Sequence, residues 1–215
     1  MKIKIKLKLK IQSIEPQKRR KNRFTITFES GDVFGISEDV LLSIPLSIGQ
    51  TIDPNEFEKI QFLESSIGIK NQVLILLSYR QRSRAELTRR LKLKGHPLAM
   101  IISILDELES KGFINDTDFA KMFATHLVEN KKIGRVAVQS EFYPHQIPEP
   151  VLDSILDDLY EKHPPIELVK TIISKKMTTR EKSQKEKLRM INFLKRKGFV
   201  WEDMESEIQG IEWDG

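Results

Sequence analysis

Apolar residues recur along this chain in three blocks that keep the same internal spacing. Leu87, Val138 and Met190 are equivalent, and Leu91, Phe142 and Leu194 follow four residues later. Gly95, Gln146 and Gly198 mark the turn after them. Then come Ile101, Leu152 and Met204; Leu105, Leu156 and Ile208; and Leu108, Leu159 and Ile211. The offsets are 51 and 52 residues throughout. The spacing i, i+4, break, i, i+4, i+7 is helical, and a period this long with every apolar position in phase predicts a repeated helical unit.

The N-terminal part reads differently. Lys2, Lys4, Lys6, Lys8 and Lys10 alternate with Ile3, Ile5, Leu7 and Leu9, as in a two-faced strand or a disordered basic tail. A basic turn, Gln17 to Arg23, leads to a β-branched strand over Arg23–Glu29, a Ser30-Gly31-Asp32 turn and a return strand from Val33 to Ile36. Ser37 is expected to cap a short helix with Glu38 and Asp39 in its first turn. Asp53-Pro54 opens another, helical to about Tyr79 with an interruption expected near Gly68; its run Val73–Leu77 reads as buried.

Ser83 and Glu86 have capping-box spacing at the start of a helix over 84–94 that Gly95 ends. Further helices are predicted over Leu98–Lys111 and from Phe119 towards Lys131, the latter capped within Asn115–Asp118. The second repeat reads as helices over Gly134–Phe142 and Val151–Tyr160. The third reads as a long helix ending at Gly198 and another over Trp201–Ile211. The expected fold is mainly α: three tandem three-helix repeats after a small antiparallel β-rich module. The divisions expected are 1–52 for that module, 53–112 for the first repeat with its leading helix, 113–163 for the second and 164–215 for the third.

Composition narrows the chemistry. The chain has 215 residues, no cysteine and a net charge of +5, which excludes disulfides and thiolate chemistry. No apolar run is long enough to span a membrane and no signal peptide is legible, so a cytoplasmic location is expected. Charge is segregated: residues 1–23 hold ten cations against one acid, and residues 136–165 hold one against six. Such blocks suit a protein that meets both phosphate and another protein.

No catalytic constellation is evident. His96, His126, His145 and His163 have no metal-ligand spacing, no phosphate loop is present, and Asp116 with Asp118 reads as helix capping. Neither a cofactor nor a metal is expected. Phe113, Phe119, Phe123, Phe142, Trp201 and Trp213 read as packing residues. The basic stretch Arg80–Lys94 stands out. Leu87 and Leu91 claim its inward face, Arg82, Arg89 and Lys92 fall near one outward stripe, and Arg90 and Lys94 lie beside it. Seven cations with only Glu86 among them imply an anion opposite, or else a solvated face. Lys195-Arg196-Lys197 stands at the equivalent place in the third repeat.

Several of these segments together resemble the RecX family of regulatory proteins. Arg80–Leu87 with Lys94-Gly95 is similar to its opening repeat, and Gly112–Ala120 to its Gly-aromatic-Leu-Asp-Asp-x-x-Phe-Ala segment. Lys187-Leu188, Phe193-Leu194 and Lys197–Phe199 resemble its last repeat. Ile14–Lys18 and Gly35–Asp39 resemble the strand-rich extension of some members. The middle repeat departs: Tyr143-Pro144-His145-Gln146 replaces the usual Lys-Gly, and only Lys131, Lys132, Gly134, Arg135 and Glu141 remain recognisable. That repeat is a protein-binding surface or a spacer.

The resemblance implies a non-enzymatic modulator of the recombinase RecA. It would lodge in the groove of the RecA filament on single-stranded DNA and inhibit its ATPase, strand exchange and co-protease activity, in the setting of DNA repair and the SOS response. The residues this implies for RecA or DNA contact are Arg80, Arg82, Arg89, Arg90, Lys92, Lys94, Lys131, Lys132, Arg135, Lys195, Arg196 and Lys197, with Ser83 and Glu86 purely structural. A monomer with no membrane partner is expected. The rival readings are a RecA-independent DNA-binding module, using the basic helix faces and the lysine-rich arm on free DNA, and a plain scaffold.

Overall fold

In a computed structural model, residues 8–178 and 181–214 are described. Residues 1–7 of the alternating lysine segment lie outside them. Leu9 and Lys10 open the first strand, β1 (Leu9–Pro16), which pairs antiparallel with β2 (Arg23–Phe28). A bulge between Ile11 and Ser13 shifts the register, so Ile11 and Ile14, three apart, both serve the same hydrophobic cluster. β3 (Val33–Ser37) pairs with β2 and the short β4 (Thr51–Ile52) with β1, giving the order β3-β2-β1-β4. The predicted hairpin and return strand are thus present.

Helix α1 (Glu38–Ser43) has the expected acids in its first turn, but Ser37 does not cap it. Its amide and hydroxyl both donate to Glu64 Oε2, each at 2.7 Å, charge-assisted bonds to a half-buried carboxylate that orient the hydroxyl away from the helix amides. α2 (Pro54–Tyr79) begins at a complete capping box: Asp53 Oδ1 accepts the amides of Asn55 and Glu56 at 2.8 and 2.9 Å, and Glu56 accepts that of Asp53 at 2.9 Å. The helix runs unbroken through Gly68, contrary to the expected interruption. A lone helical glycine costs only about 1 kcal/mol, and the flanking turns outweigh it.

The same helix serves two purposes. Phe57 and Ile60 close the sheet's core with Ile11, Ile26, Phe28 and Ile36, and the Phe57 ring packs edge-on against Phe28 and Phe34 at 5.8 and 5.1 Å. Ile69 and Val73 are fully buried further along. The run Val73–Leu77 is not buried as a block: Ile75 is 57% exposed, since five consecutive helical residues point all round the axis.

The remaining helices are α3 (Arg84–Leu93), α4 (Leu98–Ser110), α5 (Asp116–Thr125), α6 (Arg135–Phe142), α7 (Glu149–Lys162), α8 (Pro165–Met177), α9 (Gln184–Arg196) and α10 (Trp201–Gln209). α5 continues into a π-helical turn, His126–Asn130, and α6 into a 3-10 turn, Tyr143–His145; neither was legible in the sequence. The expected long helix before Gly198 is two helices, α8 and α9, because Ser183 caps a new start by accepting the Glu186 amide. α5 packs on α7, and α8 on α10. The chain forms two compact units, one comprising residues up to Tyr79 with Leu91–Glu107, the other Arg80–Arg90 with Leu108 onward.

The repeat is real at the level of backbone and burial. Leu87, Leu91, Val138, Phe142, Met190 and Leu194 are all buried, as are Ile101, Leu105, Leu152, Leu156, Met204 and Ile208. The three turn residues share the left-handed conformation, with φ of 83° at Gly95, 56° at Gln146 and 82° at Gly198. Glutamine there carries a Cβ where its counterparts have none, at a cost of about 1 kcal/mol.

Within the second unit, consecutive repeats meet by one rule. The start of each first helix abuts the turn of the next repeat. Gly134, before α6, donates its amide to Lys197 O at 2.8 Å, and a Cβ on Gly134 would stand 2.3 Å from Gly198 O. One repeat earlier, Ser83, before α3, meets His145, the counterpart of Lys197. Phe119 and Phe142 are core as expected and Phe123 is partly buried, but Phe113 is 55% exposed and Trp201 38%.

Candidate functional site

The basic stretch of the first repeat holds its anion internally. Glu86 is buried on α3, next to the inward Leu87. Arg90 reaches it along the helix, and Arg82 and Arg80 reach it from the segment before. Arg90 Nε lies 2.9 Å from Glu86 Oε1, Arg80 Nη2 2.9 and 3.0 Å from its two oxygens, and Arg82 makes a short contact. Burial by itself pushes the carboxyl up, but the Arg90 and Arg82 hydrogen bonds and the Arg80 charge overcome it and hold Glu86 below the usual carboxylate range.

Arg82 is therefore buried rather than on the outward stripe its spacing predicts. The helical wheel places it outside, but it lies before α3 begins, where the wheel does not apply. Ser83 Oγ accepts the Glu86 amide at 3.1 Å, which is half of the capping box. The other half is missing, because the Glu86 carboxylate is taken by arginines. Ser83 Oγ also lies 2.8 Å from His145 Nδ1.

His145 completes a cluster the sequence did not announce. Its ring centroid lies 4.7, 5.3 and 6.2 Å from those of Phe119, Phe123 and Phe142. Burial depresses its pKa, aided by Arg89 and Arg80 and opposed by Glu86 and Asp116. Asp116 does cap a helix, though not its own. Asn115 caps α5, accepting the amides of Thr117 and Asp118, whereas Asp116 Oδ1 accepts the Arg84 amide at 2.7 Å at the head of α3. Burial, with Glu109 nearby, raises the Asp116 pKa. A cleft of about 510 Å³ opens beside this group, lined by Arg80, Phe119, Met122, Phe123, His126 and His145.

The other candidate cations divide in two. Some are engaged within the fold. Arg135 bridges Asp157 and Asp153 at 2.5 and 2.9 Å, which raises its pKa. Lys94 donates to Gln72 at 3.0 Å. Lys197 Nζ donates to the carbonyls of Lys131 and Lys132 at 2.6 and 3.2 Å, at the end of the π-helical turn, where a cation is favoured. Burial, with Lys176 and Lys132 close by, lowers the Lys197 pKa. Lys132 is half-buried and reaches Glu129 O. The others face solvent: Lys92, Lys131, Lys195 and Arg196 are exposed, and Arg89 is exposed with a bond to Pro144 O at 3.2 Å.

Among the described residues, no group of three His, Asp or Glu side chains is placed to hold a metal, and no helix is long and apolar enough to cross a membrane.

The pattern of a family described as "RecX, first three-helix domain" matches residues 70–108. The Regulatory protein RecX of Bacillus subtilis strain 168 is 28% identical over 210 residues, covering 95% of this chain and 78% of that protein. That of Geobacillus sp. strain WCH70 is 27% identical over 198 residues, covering 89% and 73%. A crystal structure of regulatory protein RecX superposes with a TM-score of 0.68 at 22% identity, over 94% of this chain and all of that one. RecX from Lactobacillus salivarius gives 0.55 at 18%, over 69% and 97%.

Proposed function

We propose that the chain is a regulator of the RecX kind, as its likeness to RecX proteins supports, and that it regulates RecA by lying along the groove of the RecA–DNA filament and inhibiting its ATPase, strand exchange and co-protease activity. The observation that carries this reading is the division of the cations. The Glu86 group, Arg135 and Lys197 hold repeats and turns in place. Lys92 on one helix and Lys195 on another stay at the surface at equivalent places of repeated helices, with Arg89 and Arg196 exposed beside them. Repeated helices with cations at one end suit a periodic polyanion or a periodic acidic protein surface.

In this reading Arg80, Arg82 and Arg90 support the contact surface without forming it. Lys131 adds to the exposed set, while Lys132 and Lys94 contribute charge from half-buried or hydrogen-bonded positions.

The test is ATP hydrolysis by preformed filaments of the cognate RecA on single-stranded DNA, with this protein titrated in. A fall at substoichiometric protein is expected. Unchanged hydrolysis with folded protein rejects the reading and leaves RecA-independent DNA binding ahead.

A further inference from the structure

We infer that the tip of the β1–β2 hairpin, Lys18-Arg19-Arg20-Lys21, is a nucleic-acid contact that grips the phosphodiester backbone. The inference goes beyond the filament reading, because it needs no RecA and uses none of the repeat cations.

Four consecutive cations close this hairpin, and all four side chains are exposed. They do nothing for the turn itself. Hairpin loops are built on Gly, Asn, Asp and Ser, and here Asn22, left-handed at φ 58°, does that work alone. Nor are they edge guards, since β1 and β2 are the central strands of the sheet. Neighbouring cations of the same sheet are neutralised: Lys10 pairs with Glu29 at 2.7 Å and Arg23 with Glu64 at 2.9 Å. Among the described residues, the four at the tip form no ion pair.

The loop is also held. Gln17 N–H donates to Arg23 O at 2.8 Å, and Glu38 N–H donates to Asn22 O at 3.0 Å. The Gln17 side-chain amide donates to Phe24 O and Thr25 Oγ1 at 3.3 and 3.2 Å. Gly35 leaves room for this packing, as a Cβ there would stand 3.3 Å from Gln17 Nε2. Four like charges thus stand close together on a hydrogen-bonded two-stranded support, with no ion-pair partner among the described residues. A nucleic-acid backbone supplies fixed, closely spaced negative charge, and a cation cluster that releases its counterions gains affinity without reading sequence. The tip carries no apolar side chain to seat in a bilayer, which sets it apart from membrane-surface anchors.

The experiment is fluorescence anisotropy of labelled single-stranded and duplex oligonucleotides with the full chain and no RecA, across a sodium chloride series. The variant K18A/R19A/R20A/K21A should keep its circular dichroism and lose affinity at low salt. Its slope of log affinity against log salt should be shallower by about 3, the value for four lost phosphate contacts. R19A/R20A should show about half that change, and R19K/R20K should retain the slope. An unchanged slope in the folded quadruple variant overturns the inference, as does a full chain that binds neither oligonucleotide. So does a variant that loses binding to phosphatidylserine vesicles while its DNA binding is unaltered.

Discussion

The Ser83 hydroxyl lies 2.8 Å from His145 Nδ1, and this contact occupies the place that the Gly134 amide and Lys197 carbonyl occupy one repeat later. The first joint thus adds a side-chain pair to the Arg84–Asp116 and Arg89–Pro144 bonds, and the second adds a close backbone contact to the Lys197 side chain's bonds. Their chemistry differs accordingly, and so should their response to pH and substitution.

Acid should weaken the first joint. The His145 pKa is depressed in the fold, by burial foremost, so the folded protein favours the neutral ring. The contribution is complete above the unfolded value of about 6.5 and is lost as pH falls below it. Asp116, whose pKa is raised, works in the opposite sense and at lower pH. Urea unfolding at about pH 7.5 and about pH 5.5 should show a loss of stability that His145→Gln reduces. An identical pH dependence in the variant would rule His145 out as its source.

Glu86→Gln should destabilise by about 3 kcal/mol or more, because it leaves three guanidinium groups around a buried site without their anion. Arg80→Ala should cost about 1 kcal/mol or less, since Arg80 is half-exposed and two arginines remain. Equal losses in urea titrations of the two variants would contradict the assigned geometry.

At the second joint, Gly134→Ala should cost about 3 kcal/mol, as its methyl would meet the Gly198 carbonyl at 2.3 Å. Gln146→Gly should act in the other direction, stabilising by about 0.5–1 kcal/mol by relieving a left-handed side-chain-bearing residue. Thermal melts of both variants decide the matter, and a stabilised Gly134→Ala would mean that the joint opens in solution.

For regulation, Lys195→Ala with Arg196→Ala, and separately Arg89→Ala with Lys92→Ala, should each weaken inhibition of RecA ATPase several-fold without changing the melting temperature. The measure is the concentration giving half inhibition. Full inhibition by both folded double variants would remove these cations from the proposed contact.

Much of this architecture was legible from periodicity. The phase of Leu87, Val138 and Met190 was enough to place the repeats, and the left-handed turn at Gln146 follows from its alignment with two glycines. What escaped were contacts made across long sequence separations. Asp116 capping α3 and His145 closing on Ser83 join residues 32 and 62 apart, and no local pattern encodes such pairings. The internal partners of the cations escaped for a related reason. Spacing puts Arg82 on an outward stripe, whereas Glu86 in the following helix draws it into the fold, and Arg135 is held by Asp153 and Asp157 of the next helix.

The contrast between the two joints has a mechanical consequence. A hydroxyl and an imidazole can rotate, slip and re-form, whereas carbonyl and amide at a glycine contact cannot move without moving the chain. A substitution at Gly134 or Gly198 therefore has to displace the backbone itself, whereas one at Ser83 or His145 is met by side chains turning.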